Sequence, residues 1–395
     1  MKASLATIVM LSLASHLFGQ TSPPSWVTEG PSIREDPAAF SIPYSELGTK
    51  IYVVVEIGGQ PRKLVFDTGS PSMIDSTIVD ETGMSLVGKS SGIDAHGAVI
   101  ESKISQGNLK IGDMEINKLP MFVADFSASH ATQSLIGDGV LGSDILPLGA
   151  WQIDPTSRTI RFAAKASDLP HVSKSHRVQL HHFGYPYTPI LDVHFSENAR
   201  SKAMLDTGSP TYFSISPADF QGAKASKAIG RTISGFGSPG ASLGGQATAQ
   251  NLLMLELSSF SIADLDLGRV EAIRREISPS LIGARILDNY VITLDINNGD
   301  AFFYKFSNAP FSHSTFGFTL SFDESVNVAA VWDDSPAQQA GLRAGDKLTS
   351  LNGEACITTS DSIKRFIKMM GEDKIRVSWQ GQSTTLDEKL NLLSN

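Results

Sequence analysis

Two β-rich lobes built on one duplicated pattern, followed by a smaller α/β module, form the architecture this sequence predicts. Three observations lead there. The tetrad Asp67-Thr68-Gly69-Ser70 recurs 139 residues later as Asp206-Thr207-Gly208-Ser209, each time after a short apolar run and before a proline. The features around each tetrad keep nearly the same offset, as an internal repeat requires. Short valine- and isoleucine-rich runs separated by Gly, Asn and Asp turns fill residues 41–306, and a helix-bearing pattern replaces them beyond 314.

The chain begins Met1-Lys2, continues through a mostly apolar stretch from Leu5 to Phe18, and turns polar at Gln20. One basic residue before a short apolar run fits a secretory signal peptide over 1–20, cleaved after Ala14 or after Gly19. An uncleaved membrane anchor is the alternative, but the stretch is short for a bilayer span. The expected destination is export, to a periplasm or to the outside.

The first lobe is expected over 41–165. Lys50 to Ile57 turns at Gly58-Gly59 and returns through Leu64 to Phe66 into the first tetrad. Val140-Leu141-Gly142 follows, then Trp151 to Asp154 and Thr159 to Phe162. The second lobe, over 176–306, repeats this order. Pro189 to Phe195 turns at Glu197-Asn198 and returns through Ala203 to Leu205 into the second tetrad. Leu281-Ile282-Gly283, Ile292 to Asp295 and Ala301 to Tyr304 complete it, at offsets of 141 for both Gly283 and Asp295. About thirty residues past each aspartate comes a glycine-bearing segment expected to form a hairpin tip. Ala95, His96 and Gly97 are the flap candidates in one lobe, and Gly235, Phe236 and Gly237 in the other. A linker is placed over Ala163 to Ser175. The tail module, over 314–390, carries Thr315-Phe316-Gly317-Phe318, a helical stretch from Ser360 to Met370, and closing strands near Ile375 to Trp379 and Thr384 to Leu386.

Composition excludes several classes. The 395 residues are 41% apolar and 18% charged, which describes a globular chain. A net charge of −9 argues against nucleic-acid or anionic-membrane partners. Cys356 is the only cysteine, so no intramolecular disulfide forms and a Cys/His metal site lacks ligands. No metal and no cofactor is called for.

Two carboxylates about 3 Å apart do not both ionise cheaply, so a pair of this kind holds one proton and works as acid and base together. Asp67 and Asp206 are the candidate catalytic pair. Gly69 and Gly208 permit a tight turn beside them. Ser70 and Ser209 are expected to donate their hydroxyls to the neighbouring aspartates, which would favour an acidic working range.

Asp-Thr-Gly-Ser after an apolar strand, with a later apolar-apolar-Gly, resembles the aspartic peptidases. The run Leu281 to Asp295 is similar to the stretch near the end of the pepsin-like second lobe, and the compact matching halves look closer to bacterial retropepsin-like proteins than to animal pepsins. The resemblance covers roughly 41–306 and implies the bilobal acid-protease fold, mainly β with two similar β-barrel-like lobes. It also implies that Thr68 and Thr207 hydrogen-bond across the lobe junction. Both copies lie in one chain, so a monomer suffices. The sequence departs from pepsins in having no tyrosine between Asp67 and Gly142.

The tail resembles a PDZ domain. Phe316, Gly317 and Phe318 correspond to its carboxylate-binding loop, and Ser335 to Asp346 to its helix-and-turn segment. This implies that an extended peptide or a C-terminus adds beside Phe318 to Phe322. The expected activity is aspartic endopeptidase, with protein or peptide substrates. The alternatives are a non-catalytic peptide-binding scaffold and lobes that pair between chains through the tail.

Overall fold

The computed structural model describes residues 23–34 and 38–394. The expected signal peptide at 1–20 lies outside the described residues.

In the first lobe, strands Lys50–Ile57 and Gln60–Phe66 pair with Ile57 opposite Gln60. Gly58 and Gly59 both take positive φ, 60° and 74°, giving the two-residue turn whose twist suits the strands it joins. Val53, Val55 and Ile57 face the core while Val54 and Glu56 face out. Strand Gly139–Leu141 then lies parallel to the second hairpin strand, Leu141 opposite Phe66.

The second lobe repeats the arrangement. Hairpin Ile190–Ser196 and Ala199–Asp206 is joined in parallel by Ser280–Gly283, with Gly283 opposite Asp206. The glycine of each apolar-apolar-Gly run has a steric reason. A Cβ on Gly142 or Gly283 would strike the backbone just past the tetrad.

The two lobes join in one sheet. Strand Ala150–Asp154 pairs antiparallel with Tyr290–Asp295, placing Trp151 opposite Leu294, Gln152 opposite Thr293 and Ile153 opposite Ile292. Residues that correspond under the 141-residue repeat therefore meet crosswise. That requires a two-fold axis through the Gln152–Thr293 pair, whose side chains bond at 2.8 Å. A single buried apolar cluster runs through both lobes around this seam.

The PDZ-like tail begins with strands Phe318–Phe322 and Val326–Trp332. A four-stranded sheet containing Leu348–Leu351 and Ile375–Trp379 follows, with helix Ser360–Met369 packing Ile363, Phe366 and Met369 into the module's core. Strand Val326–Trp332 has two neighbours. One is Phe318–Phe322, and the other is strand Ile229–Gly237 of the second lobe.

That pairing corrects one expectation. Gly235, Phe236 and Gly237 are not a hairpin tip but strand residues opposite Trp332, Val331 and Ala330. Their glycines serve close approach rather than turning. A Cβ on Gly237 would collide with Ala330, and one on Gly235 with Trp332. The tip lies further on, where Ala241–Ser242 pairs with Gly245–Gln246.

Candidate active site

Each aspartate stands at the end of a strand held from behind by the apolar-apolar-Gly run. The Asp67 N–H donates to Leu141 O at 3.0 Å, and Asp206 is fixed by the register of Gly283 beside it. The two threonines cross the junction reciprocally. The Thr68 N–H donates to Thr207 Oγ1 (3.0 Å) and the Thr207 N–H to Thr68 Oγ1 (3.1 Å). Their hydroxyls continue into the opposite strands, Thr68 to Leu205 O (2.7 Å) and Thr207 to Phe66 O (3.0 Å). Both threonines are 1% exposed, so these bonds are shielded from water and fix the loops against each other.

The loops approach so closely that Gly69 and Gly208 are the only residues that fit. A Cβ on Gly69 would run into the Asp206 carboxyl, and one on Gly208 into that of Asp67. Asp67 and Asp206 are both half-buried at the cleft floor, and their carboxyls hydrogen-bond each other. Burial raises the proton affinity of Asp206, and the Asp67 charge and their mutual hydrogen bond raise it further. Asp206 is therefore the member whose carboxyl is driven toward its protonated form.

The serine expectation is corrected. The carboxylates receive backbone donors instead: Gly69 N–H to Asp67 Oδ1 (2.8 Å), and Gly208 and Ser209 N–H to Asp206 Oδ1 (2.9 and 3.2 Å). The Ser209 hydroxyl pairs with Thr211 at 3.2 Å, and the buried Ser70 hydroxyl meets no partner among the described residues. The tight turn itself aims amide hydrogens at the aspartates, and the hydroxyls are directed elsewhere.

Several supports were not legible beforehand. Ser72 bonds the buried Asp144 through N–H (2.9 Å) and hydroxyl (2.6 Å), while its Oγ accepts the Gly142 N–H (2.9 Å). Burial pushes the Asp144 carboxyl up to about 7, against the two hydrogen bonds from Ser72 that favour its charge. An acid two residues past Gly142 was the available signal, but the second lobe has Arg285 there, so the repeat did not point to it. Arg275 also faces the dyad. Burial lowers its proton affinity and the Asp206 charge raises it, while its Nη2 reaches Ala95 O at 3.4 Å. Nothing in the local pattern marks it.

The roof is asymmetric. Ala95, His96 and Gly97 form the tip of hairpin Ser85–Ile93 and Val99–Ile111, with Gly97 at φ 93°. Asp94 organises that tip by accepting from His96 and Ala98 N–H at 3.0 and 2.8 Å. Its other oxygen reaches the second lobe's tip, accepting from the Ser242 hydroxyl and from the Gly244 N–H at 3.1 Å. Burial works against the Asp94 charge, but these hydrogen bonds outweigh it and hold the carboxyl below its ordinary range. The two tips thus meet at Asp94.

In the tail, Phe316 and Phe318 are buried in the module's core. Gly317, at φ 87°, donates its N–H to Thr315 Oγ1 (3.2 Å) and accepts from Trp332 N–H (2.8 Å). A Cβ on Gly317 would overlap Ser335, so the loop requires glycine here.

Comparison with known families agrees with this arrangement. No curated protein matches the chain. The aspartyl protease family match spans the first tetrad and its apolar-apolar-Gly strand, and the second lobe joins it through the crosswise threonine bonds. The chain therefore carries an aspartyl protease segment, matched at residues 53–145, and a PDZ domain, matched at residues 328–380.

Proposed function

We propose that the protein is an aspartic endopeptidase whose nucleophile is a water held between Asp67 and Asp206. The ionised carboxyl takes a proton from that water as its oxygen attacks the peptide carbonyl carbon. The protonated carboxyl donates a hydrogen bond to the developing oxyanion and a proton then passes to the leaving amine. The pair ends with one proton, as it began. The reading is carried by one observation: two carboxyls bonded to each other over loops that the Thr68–Thr207 bonds lock in register. Such fixed geometry supplies the positioning that water attack requires.

The test is digestion of an unfolded protein from about pH 3 to pH 8 by the wild type and by Asp67→Asn, with products identified by mass spectrometry. Cleavage by the wild type alone supports the proposal. Cleavage by neither sinks it and favours the peptide-binding scaffold. The scaffold reading draws on the first flap, whose tip offers Ala95 and His96 in a lobe with no tyrosine between Asp67 and Gly142.

Export completes the proposal and rests on the leader pattern of residues 1–20. Recovery of the processed chain outside the cytoplasm, with its new N-terminus sequenced, is the expected result.

A further inference from the structure

Among the described residues, the PDZ module is attached to both lobes. On the second lobe, Val326–Trp332 extends the sheet of flap strand Ile229–Gly237. Two backbone bonds reinforce that seam, Ser238 N–H to Ala329 O and Asp333 N–H to Ser234 O, both 2.8 Å.

The attachment to the first lobe occupies the place where an added strand would lie. Among the described residues, strand Phe318–Phe322 pairs on one edge only, with Val326–Trp332. Helix His130–Ile136 of the first lobe packs against this strand and against helix Ser360–Met369. Ala131, 5% exposed, is buried in the PDZ core with Phe316, Phe318, Ile363 and Phe366. Peptide recognition by strand addition needs that free edge and the apolar trough beside it, and here a helix fills both.

The contact is built to hold and to let go. The Tyr52 hydroxyl donates to Leu135 O at 2.7 Å, rooting the helix in the first lobe, and Ile367 packs against Leu47, Tyr52, Val65 and Val140. Against this, Lys63 faces Lys364 and Lys368 across the junction, three like charges with mutual repulsion. Helix His130–Ile136 leads directly into Gly139–Leu141, the strand that backs Asp67. The module therefore spans from the second flap to the first lobe and braces the cleft whose flap tips meet at Asp94.

We propose that helix His130–Ile136 closes the PDZ groove, and that a peptide C-terminus entering the groove displaces it and releases the second flap from the first lobe. A groove open for only part of the time binds peptide more weakly by that fraction, and peptide binding shifts the population toward the released form. The effect on hydrolysis rests on the peptidase reading; closure of the groove does not.

The experiment has two arms that fail separately. In an Asp67→Asn background, full-length protein with and without Ala131→Glu is used to pan a library of random peptides displayed with free C-termini. Burying a carboxylate among Phe318, Ile363 and Phe366 expels the helix, so capture is expected to rise at least about tenfold. Equal capture by both proteins, or capture by neither, overturns groove closure. Hydrogen exchange across Ile375–Trp379 reports whether the module stays folded, and Tyr52→Phe, which only unroots the helix, gives the same direction if Ala131→Glu does not fold. In the second arm an enriched peptide, as free acid and as amide, is added to the catalytically intact protein with a quenched substrate. A several-fold rate change with the acid, absent with the amide and absent in Ala131→Glu, supports the brace. An unchanged rate with the groove occupied overturns it. If the intact protein cleaves nothing, the peptidase reading fails while the panning result still decides the groove.

Discussion

The two lobes match at the floor of the cleft and part company in its roof. On the floor, each aspartate receives the same donor from the glycine two residues on, each threonine crosses to its twin, and each apolar-apolar-Gly strand lies parallel to its dyad strand. In the roof, the first flap is a hairpin from the first lobe alone, whereas the second is sewn along one edge to the PDZ module. The difference shows where duplication is constrained. On the proposed reading, two carboxyls that share one proton must be held close together, and the paired loops of the floor do that. Covering a substrate sets no such requirement, and one roof was open to a further partner.

The strongest way to break the floor equivalence is Asp67→Asn against Asp206→Asn. Each is expected to lower kcat/KM by at least about a thousandfold with unchanged circular dichroism. Substantial turnover in either variant would show that the lobes are not equal and would end the two-carboxylate mechanism. Next come Gly69→Ala and Gly208→Ala, whose added methyls push the opposite carboxyl aside. A displacement on the scale of an ångström costs about a hundredfold, and the two losses should agree within a few-fold.

The roof is sharpened by Asp94→Asn. It removes the charge that joins the flap tips, so amide protection across residues 95–98 and 242–246 should fall together by about tenfold. Loss at only one tip would mean the flaps close independently. The sign with pH follows from the lowered Asp94 value. The charged link is present above its ordinary range and weakens as pH falls through the lowered value, a dependence the variant should lack.

The smallest effect concerns Asp144, which supports one lobe only. Its carboxyl moves from the ordinary 3.8 up to about 7 on folding, so the folded protein holds that proton more tightly than the unfolded chain. The stabilisation is complete below about pH 4 and is lost as pH rises through 7, at about 1.4 kcal/mol for each pH unit between those two values. Asp144→Asn should flatten the decline in Tm over that window. An unaltered slope would mean that Asp144 stays ionised in the fold.

The tetrads of the floor were legible in the sequence because each is local and the pair is doubled, whereas the one-sided Ser72–Asp144 support was not. A tetrad after an apolar run is a short pattern, and its recurrence at a fixed offset supplied the second witness. The family match covers the first tetrad and its strands alone, at 53–145. The roof was not legible, because its glycines carry two meanings. Gly235 and Gly237 read as turn formers, but they clear space for Trp332 and Ala330, which lie about ninety-five residues further on. A serine beside an aspartate suggests a hydroxyl donor by its chemical type, but the chain satisfies the carboxylates with main-chain N–H groups that no side-chain pattern displays. Arg275 stayed hidden for a related reason. Its meaning comes from Asp206 and Ala95, both distant in sequence.

The unbroken hydrogen bonding between Ile229–Gly237 and Val326–Trp332 bears on how the molecule melts. A module tethered by a linker would lose its structure at its own temperature. Here the ladder crosses the boundary, and Leu392 of the chain's last turn is buried with Ile233, Leu252 and Trp332 on both sides of it. The tail and the second lobe thus form one cooperative unit, and calorimetry should record a single transition for the two of them.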